Sequence, residues 1–243
     1  MSKAGLTMRP GSGVRQGSHE FAACHSTKRF VIVIGSAIRQ SRRYRVAMTK
    51  HYDADYFQRW YRDGGIGGRQ RLARKVALAV ATTEYHLERP LRTVLDIGCG
   101  EGPWRAPLLK LRPKVQYMGF DSSEYAVRRF SRSRNLHYAQ FRDFAQLRPC
   151  APVDLLVCSD VLHYLSTREL DQGLPGLAEL CGGVAFLETF AREDEAEGDE
   201  HDFMNRHADF YRRRFESLGF RQLGSHCWLS PAIADQATAL ETT

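Results

Sequence analysis

Residues 94–102 read Val-Leu-Asp-Ile-Gly-Cys-Gly-Glu-Gly, and this stretch decides the fold. Its three apolar residues predict a short buried strand, with Asp96 near the end. Gly98, Gly100 and Gly102 then follow at alternate positions. Because glycine has no Cβ atom, a turn of this composition lets the backbone approach a ligand closely. The stretch therefore predicts a buried strand that runs directly into a ligand-binding turn.

Helices and strands alternate on the C-terminal side of this turn. Apolar runs predict strands over residues 115–120, 136–141, 153–158 and 183–188, and helices over 103–112, over 124–132 and from a capping box at Ser166 and Glu169. Gly173 and Pro175 are expected to break or kink the last helix. Residues 221–228 predict a terminal hairpin. Alternation of this kind predicts right-handed βαβ units. We therefore expect an α/β fold, Rossmann-like and doubly wound, with a mostly parallel seven-stranded sheet and a C-terminal antiparallel hairpin.

Four segments are predicted along the 243 residues. Residues 1–47 hold nine basic residues and one acidic residue, and we expect a disordered leader there. It is either sequence upstream of a natural start at Met48 or an organelle targeting peptide. Residues 48–90 are expected to form a helical lid and a long helix. Residues 91–230 contain the alternating strands and helices, and residues 231–243 are expected to be a flexible tail.

Composition narrows the classes of function. Hydrophobic residues make up 43 % of the chain, which is enough for one substantial core. The formal net charge of +7 comes from the leader, so we do not expect the folded part to bind nucleic acid. No stretch approaches the ~20 consecutive apolar residues of a membrane span, so no membrane partner is expected. The six cysteines include no C-x-x-C pair, which favours reduced thiols, a cytoplasmic location and no metal site.

The glycine-rich turn has a matching acid on the next predicted strand. Asp121 lies 21 residues after Gly100, at the end of that strand. A glycine-rich turn followed about 20 residues later by such an acid binds an adenosine-type ligand, with the acid on the ribose hydroxyls. Pro103 occupies the position at which the dinucleotide pattern requires Gly or Ala, so a nicotinamide ligand is disfavoured. No Gly-Lys-Ser/Thr follows, which excludes a P-loop.

Further polar residues follow the other predicted strands. Because the carboxyl ends of parallel strands meet at one edge of the sheet, we expect these residues to converge near the turn. They are Asp143, Ser159, Asp160, His163 and Glu188. A separate aromatic cluster at Tyr52, Tyr56 and Trp60 lies on one face of a predicted helix. This helix either packs on the core, or forms a lid over the ligand, or does both.

The stretch Asp-Ile-Gly-Cys-Gly-Glu-Gly at 96–102 resembles motif I of the class I S-adenosylmethionine-dependent methyltransferases of small-molecule type. The resemblance extends to Asp121, to Asp143-Phe144 and to residues 154–165, and covers about residues 50–229. It implies that S-adenosylmethionine is the cofactor. The residues implied to bind it are Asp96, Gly98, Cys99, Gly100, Asp121, Ser122, Asp143, Phe144 and Ser159.

The resemblance also implies an enzyme that transfers a methyl group by in-line displacement. Gly98 and Gly100, with Asp96, are expected to hold the methionine part, while Asp143 and Phe144 border the adenine. Asp160 and His163 are expected to flank the reacting groups, with His163 as the base because an unperturbed imidazole titrates near neutral pH. The expected lid and substrate contacts are Tyr52, Tyr56, Trp60 and Glu188.

The acceptor is predicted by elimination. The chain has Ser159-Asp160-Val161-Leu162 where amino-methylating nucleic-acid enzymes carry an Asn/Asp-Pro-Pro-aromatic turn. It also lacks the Pro-Cys nucleophile context of cytosine C5 enzymes and the paired-glutamate hairpin of protein arginine methyltransferases. A small molecule with an O, N or S nucleophile is therefore favoured. Two alternatives stay open: a protein or RNA acceptor docked by the basic leader, and a non-catalytic domain that only binds S-adenosylmethionine.

Overall fold

Seven strands form one mixed sheet in the computed structural model, which describes residues 53–59, 68–194 and 202–238. The central strands are rich in apolar residues, as expected for a sheet covered on both faces. The strands are β1 (Thr93–Ile97), β2 (Gln116–Asp121), β3 (Leu136–Tyr138), β4 (Val153–Ser159), β5 (Cys181–Glu188), β6 (Arg221–Gly224) and β7 (Cys227–Leu229).

The strand order in the sheet is β3-β2-β1-β4-β5-β7-β6. Neighbouring strands from β3 to β5 are parallel, whereas β7 is antiparallel to both β5 and β6. This arrangement confirms the predicted doubly wound sheet with a C-terminal antiparallel hairpin. The order reverses between β1 and β4, and ligands of doubly wound sheets bind at the carboxyl ends of the strands near that point.

Six helices are described around the sheet: α1 (Ala54–Phe57), α2 (Gly68–Leu87), α3 (Arg105–Leu111), α4 (Glu124–Arg134), α5 (Thr167–Leu180) and α6 (Ala208–Ser217). The starts of α4 and α5 follow the sequence signals. Ser123 caps α4 by accepting a hydrogen bond from the Ala126 N–H. Ser166 and Glu169 form the predicted capping box of α5.

The third strand is shorter than predicted. It ends at Tyr138, and a 3₁₀ helix follows over Phe141–Ala145. The 3₁₀ helix places Phe141 and Phe144, three residues apart, on the same side, and both side chains are buried. A continued strand would have pointed these two rings to opposite faces of the sheet. Burial of both aromatic rings is the physical reason for the change.

Helix α5 runs unbroken through Gly173 and Pro175, where a break or kink is expected from the sequence. The glycines of this helix permit close packing on the 3₁₀ helix. A Cβ atom on Gly173 would lie 2.5 Å from Phe141 Cδ1, and one on Gly176 would lie 1.8 Å from the Phe144 carbonyl oxygen. Gly173 and Gly176 therefore serve tertiary packing and do not end the helix.

The hydrophobic core lies on both faces of the sheet. Alternate residues of the central strands point to opposite sides. Leu95, Ile97, Leu156 and Cys158 join the buried cluster that includes α5 and α6, whereas Val94, Leu155 and Val157 join the cluster that includes α2 and α3. The two faces of the sheet are thus used for core packing, and the candidate site lies at the carboxyl ends of the strands.

Several expectations concern segments at the edges of the described residues. Residues 231–243 are expected to be a flexible tail; within them Pro231–Gln236 forms a 3₁₀ helix. Residues 1–47, Tyr52 and Trp60 lie outside the described residues. Among the described helices, none is both long and apolar enough to cross a membrane.

Candidate cofactor and acceptor site

The glycine-rich turn after β1 has a backbone that only glycine accommodates well. Gly98 and Gly100 have φ values of +72° and +53°, in the left-handed region. A Cβ atom on Gly98 would lie 2.3 Å from Val161 Cγ2, and one on Gly100 would lie 3.0 Å from Phe57 Cε1. The N–H groups of Gly98 and Cys99 donate to the Phe120 carbonyl at 2.8 and 3.0 Å, which anchors the turn to β2.

Asp121 lies directly beside this turn. Its Oδ2 accepts from the Gly100 N–H at 2.7 Å, and its Oδ1 accepts from the Ser123 N–H at 2.7 Å. Burial raises the pKa of Asp121, while the two backbone donors favour the ionised form. The neighbouring Ser122 is exposed. The predicted proximity of the second-strand acid to the glycine turn is therefore present, and Ser123 joins it through its backbone.

Asp96 lies below the turn and is buried, with 2 % of its surface exposed. Tyr117 Oη donates to Asp96 Oδ2 at 2.7 Å. Burial is the main cause that raises the pKa of Asp96 to about 7, against the opposing effect of the Tyr117 hydrogen bond. Burial likewise raises the pKa of the Cys99 thiol. The Cys99 side chain is thus a neutral core group.

At the outer edge of the sheet, Asp143 and Phe144 have different environments. Asp143 is exposed, and its Oδ2 accepts from the Gln140 N–H at 2.8 Å. Phe144 is 1 % exposed and packs edge-on against Phe120 with ring centroids 5.5 Å apart. The expectation that the Phe144 ring borders a ligand is not met by this geometry, because the ring is part of the core. Asp143 is the member of the pair that a ligand can reach.

The aromatic helix α1 contacts the glycine turn through Phe57. This side chain is 5 % exposed, lies against Gly100 and stacks on Tyr125 with ring centroids 6.0 Å apart. Tyr56 packs edge-on against Phe57 at 5.5 Å and is half-buried. Within the described part of α1, the residue next to the turn is therefore Phe57, with Tyr56 supporting it.

At the end of β5, Glu188 is buried with 1 % of its surface exposed. Ser159 Oγ donates to Glu188 Oε2 at 2.5 Å, and Lys75 of α2 forms an ion pair with Oε1. Burial alone would raise the pKa of Glu188, but Lys75 and Ser159 more than offset it, so the pKa is lowered. Glu188 was expected to contact substrate. Its side chain instead connects β4 to α2.

Asp160 follows β4 in a strained backbone conformation. Its φ is +64°, and its N–H donates to the Glu188 carbonyl at 3.0 Å. A left-handed conformation is costly for a residue with a Cβ atom, although aspartate tolerates it better than most. The Asp160 side chain is 29 % exposed. It therefore presents a carboxylate at the edge of the sheet where the ligand crevice is expected.

His163 lies behind Asp160 in the interior. It is 1 % exposed and contacts the rings of Tyr164, Phe190 and Phe203. Its Nε2 is 3.3 Å from Asp160 Oδ1, and its Nδ1 accepts from the Phe190 N–H at 3.3 Å. The direct base role expected for His163 does not fit this environment, because both ring nitrogens face protein groups and the ring is covered.

The glycine-rich turn, Asp121 and Asp160 fall within the span of a known domain family. Residues 95–183 match the family model described as "Methyltransferase domain". The match supports a methyltransferase domain in this part of the chain. No curated protein sequence matches it significantly. The family match confirms the resemblance to methyltransferases that motif I predicts.

Solved structures support the fold of this methyltransferase domain. A SAM-dependent methyltransferase from Archaeoglobus fulgidus has a TM-score of 0.54 and 18 % identity, over 70 % of this chain and 76 % of that one. DesVI from Streptomyces venezuelae has a TM-score of 0.55 and 18 % identity, over 69 % and 90 % of the two chains. The plantazolicin methyltransferase BamL, with a triazolic desmethylPZN analog and SAH, has a TM-score of 0.50 and 15 % identity, over 68 % and 65 %.

Several residues that contact the candidate site were not expected from the sequence. Tyr117 donates a hydrogen bond to Asp96, Lys75 pairs with Glu188, and Tyr125 stacks on Phe57. Phe57 lies within the aromatic cluster, so a weak sequence signal existed for it. For Lys75 and Tyr125 we find no signal in the sequence, because each lies on an otherwise ordinary helix and meets its partner only in the folded chain.

Proposed function

We propose that the methyltransferase domain transfers a methyl group to a small-molecule acceptor with an O, N or S nucleophile. The observation that carries the proposal is the convergence of the glycine turn at Gly98 and Gly100 with Asp121 and Asp160. These residues lie at or just after the carboxyl ends of β1, β2 and β4, which are neighbours in the sheet where the strand order reverses. A doubly wound sheet binds its ligand at that point.

The residues present fit S-adenosylmethionine. Gly98 and Gly100 give the turn its left-handed backbone and let Val161 and Phe57 pack directly on it, so the turn has the tight shape of a glycine-rich cofactor loop. In this proposal the turn holds the methionine part, Asp121 takes the ribose hydroxyls, and Asp143 borders the adenine. The buried Asp96 carboxylate, expected to help hold the methionine part, stays beneath the turn in its hydrogen bond with Tyr117. Ser122 is exposed beside Asp121 and is kept as a cofactor contact.

When bound, S-adenosylmethionine supplies an activated methyl group on a positively charged sulfur. The chain's own contribution is alignment and exclusion of water, which can account for ~7 to 11 kcal/mol of the barrier in favourable cases. Phe57 and Tyr56 of α1 are placed to cover the turn, and an aromatic face beside a sulfonium adds cation-π attraction. Tyr52 and Trp60 are proposed to extend this lid.

A small acceptor is favoured over a macromolecule by the motif after β4, which lacks the signatures of nucleic-acid and protein arginine enzymes. The complex of BamL with a triazolic desmethylPZN analog and SAH gives further support from a protein of similar fold. The five cysteines among the described residues are unpaired, consistent with the proposed cytoplasmic location.

Thermal unfolding with added ligands tests the cofactor. S-adenosylhomocysteine at 100 times its dissociation constant should stabilise the protein by about 2.7 kcal/mol, and NAD should not. Asp121→Asn should reduce this stabilisation, with Asp171→Asn of α5 as a surface control. No stabilisation by S-adenosylmethionine or S-adenosylhomocysteine would overturn the proposed cofactor site.

The acceptor is tested by formation of S-adenosylhomocysteine in the presence of small amines, phenols, carboxylic acids and thiols. Turnover with one of these classes of compound would support the proposal and identify the nucleophilic atom as O, N or S. Tight cofactor binding without turnover on any of them would favour a macromolecular acceptor or a domain that binds the cofactor without chemistry.

A further inference from the structure

We infer that Asp160 is the residue that contacts the acceptor and that His163 is a positioning residue, which acts only through Asp160. This inference rests on the proposed function. The sequence predicts that His163 is the base. In this inference the Asp160 carboxylate takes the proton instead, and His163 only orients that carboxylate. Three observations carry it: the burial of the two side chains, the groups around the imidazole, and the backbone of Asp160.

The burial of the two side chains separates their roles. Asp160 is 29 % exposed, whereas His163 is 1 % exposed beneath the rings of Tyr164, Phe190 and Phe203. A general base has to come within hydrogen-bond distance of the proton that it removes. In this arrangement the carboxylate can meet an acceptor at the crevice and the imidazole cannot.

The groups around His163 define its tautomer. The Phe190 backbone N–H can only donate, and it points at Nδ1 from 3.3 Å. The Thr189 hydroxyl is also 3.3 Å from Nδ1 and can donate to it. A neutral ring that accepts at Nδ1 carries its proton on Nε2. That nitrogen lies 3.3 Å from Asp160 Oδ1, so the N–H is directed at the carboxylate.

Hydrogen bonds also fix the backbone that carries the Asp160 carboxylate. The Asp160 N–H donates to the Glu188 carbonyl, and the preceding Ser159 is tied to the Glu188 carboxylate, which pairs with Lys75. The left-handed conformation of Asp160 is thus maintained by its neighbours despite its cost. Strain that the surroundings maintain is typical of functional positions.

The resulting proton transfer is balanced. As the acceptor heteroatom forms its bond to the methyl carbon, its proton passes to an Asp160 oxygen. The electron pair of the broken carbon–sulfur bond stays on sulfur, which loses its positive charge. His163 keeps its Nε2 proton throughout and holds the carboxylate in orientation.

The pair His163→Gln and His163→Leu distinguishes positioning from base catalysis. Gln reproduces an acceptor toward Phe190 and an N–H donor toward Asp160, but it cannot act as a base. We expect His163→Gln to keep turnover within about fivefold of wild type, mainly through kcat. We expect His163→Leu and Asp160→Asn to lose 100-fold or more. A loss in His163→Gln equal to that in His163→Leu, with normal stabilisation by S-adenosylhomocysteine in both, would overturn the inference.

An acceptor-independent measurement keeps the inference testable if no acceptor is turned over. ¹⁵N NMR of the histidine rings should show the His163 proton on Nε2 in the protein bound to S-adenosylhomocysteine. The His163 signal is identified as the one that disappears in His163→Gln. Asp160→Asn should shift that Nε2 signal. A proton on Nδ1, or an Nε2 signal indifferent to Asp160→Asn, would contradict the positioning role. The proposed function fails by a different result, the lack of S-adenosylhomocysteine binding or of methyl transfer by wild type.

Discussion

Among single residues, Gly98 combines two constraints that can be separated by mutation. Its φ is +72°, and a Cβ atom there would lie 2.3 Å from Val161 Cγ2. Gly224 has a φ of +88° but nothing within 4 Å of an added Cβ. Backbone strain is therefore shared by the two positions, and steric overlap belongs to Gly98 alone.

We predict that Gly98→Ala lowers the free energy of unfolding by about 1–3 kcal/mol more than Gly224→Ala does. It should also weaken stabilisation by S-adenosylhomocysteine, which Gly224→Ala should leave unchanged. Urea unfolding with and without the ligand measures both effects. Adding Val161→Ala to Gly98→Ala should recover part of the stability. Equal losses in the two glycine variants would show that the overlap at Val161 is unimportant.

Asp96 is a second residue with a measurable signature. Burial raises its pKa to about 7, well above that of an exposed aspartate. Between the two values the folded state holds a proton that the unfolded state has released. The contribution of Asp96 to stability is therefore fully present below about pH 4 and is lost as the pH rises toward 7.

We predict that Asp96→Asn, which does not titrate, gains stability relative to wild type as the pH rises from 4 to 7. The change should be at most on the order of 4 kcal/mol, and it should level off above pH 7. Urea unfolding across pH 4 to 8 measures it. Tyr117→Phe removes the hydrogen bond that lowers the pKa, and so should extend the pH-dependent loss of stability to higher pH. A constant difference between Asp96→Asn and wild type would refute the raised pKa.

At the scale of secondary-structure elements, one ion pair joins α2 to the end of β5. Lys75 neutralises Glu188, whose carboxylate is buried and accepts one further hydrogen bond from Ser159. A buried charge that loses its partner destabilises the fold more than the pair stabilises it. Helix α2 therefore supports the carboxyl end of β5 through one side chain as well as through its apolar face.

We predict that Lys75→Met destabilises the protein by about 2–3 kcal/mol, below the ~3–5 kcal/mol of a fully buried pair because Lys75 is 27 % exposed. Lys110→Met in α3 is the matched control and should change stability by no more than about 0.5 kcal/mol, since Lys110 is exposed. Chemical denaturation compares them. Similar values for the two variants would mean that Glu188 does not depend on Lys75.

At the scale of the whole molecule, the described residues belong to one compact unit, Ala47–Thr243. The basic leader is the one part of the sequence with a composition suited to docking on a polyanion. Removing it separates the two proposed classes of acceptor, because a small molecule needs only the crevice.

We predict that a chain of residues 48–243 unfolds with a free energy within about 0.5 kcal/mol of the full chain. Its stabilisation by S-adenosylhomocysteine and its turnover of a small acceptor should be unchanged. Thermal unfolding and product formation measure these. If turnover persists on RNA or protein in the full chain and disappears in the shortened one, the leader is a docking arm and the small-molecule proposal is wrong.

Much of this molecule could be predicted from local sequence. The strand and turn at 94–102 are specified by adjacent apolar residues and glycines, and the capping box at Ser166 by residues three apart. The parallel sheet, the hairpin and the position of Asp121 beside the turn follow from such signals in succession. Hydrophobic period and backbone preference act over a few residues, so they can be read before the chain is folded.

The roles of individual side chains depended on the tertiary structure. His163 has the chemistry of a base, yet the aromatic rings of Tyr164, Phe190 and Phe203 enclose it. Tertiary contacts also decide the roles of Glu188 and Phe144. Glu188 pairs with Lys75, and Phe144 packs on Phe120. The sequence by itself therefore determined the fold class and the glycine-rich turn after β1. Only the tertiary structure decided which side chains stay exposed at the carboxyl ends of the strands, because burial and charge pairing are set by residues far apart in the chain.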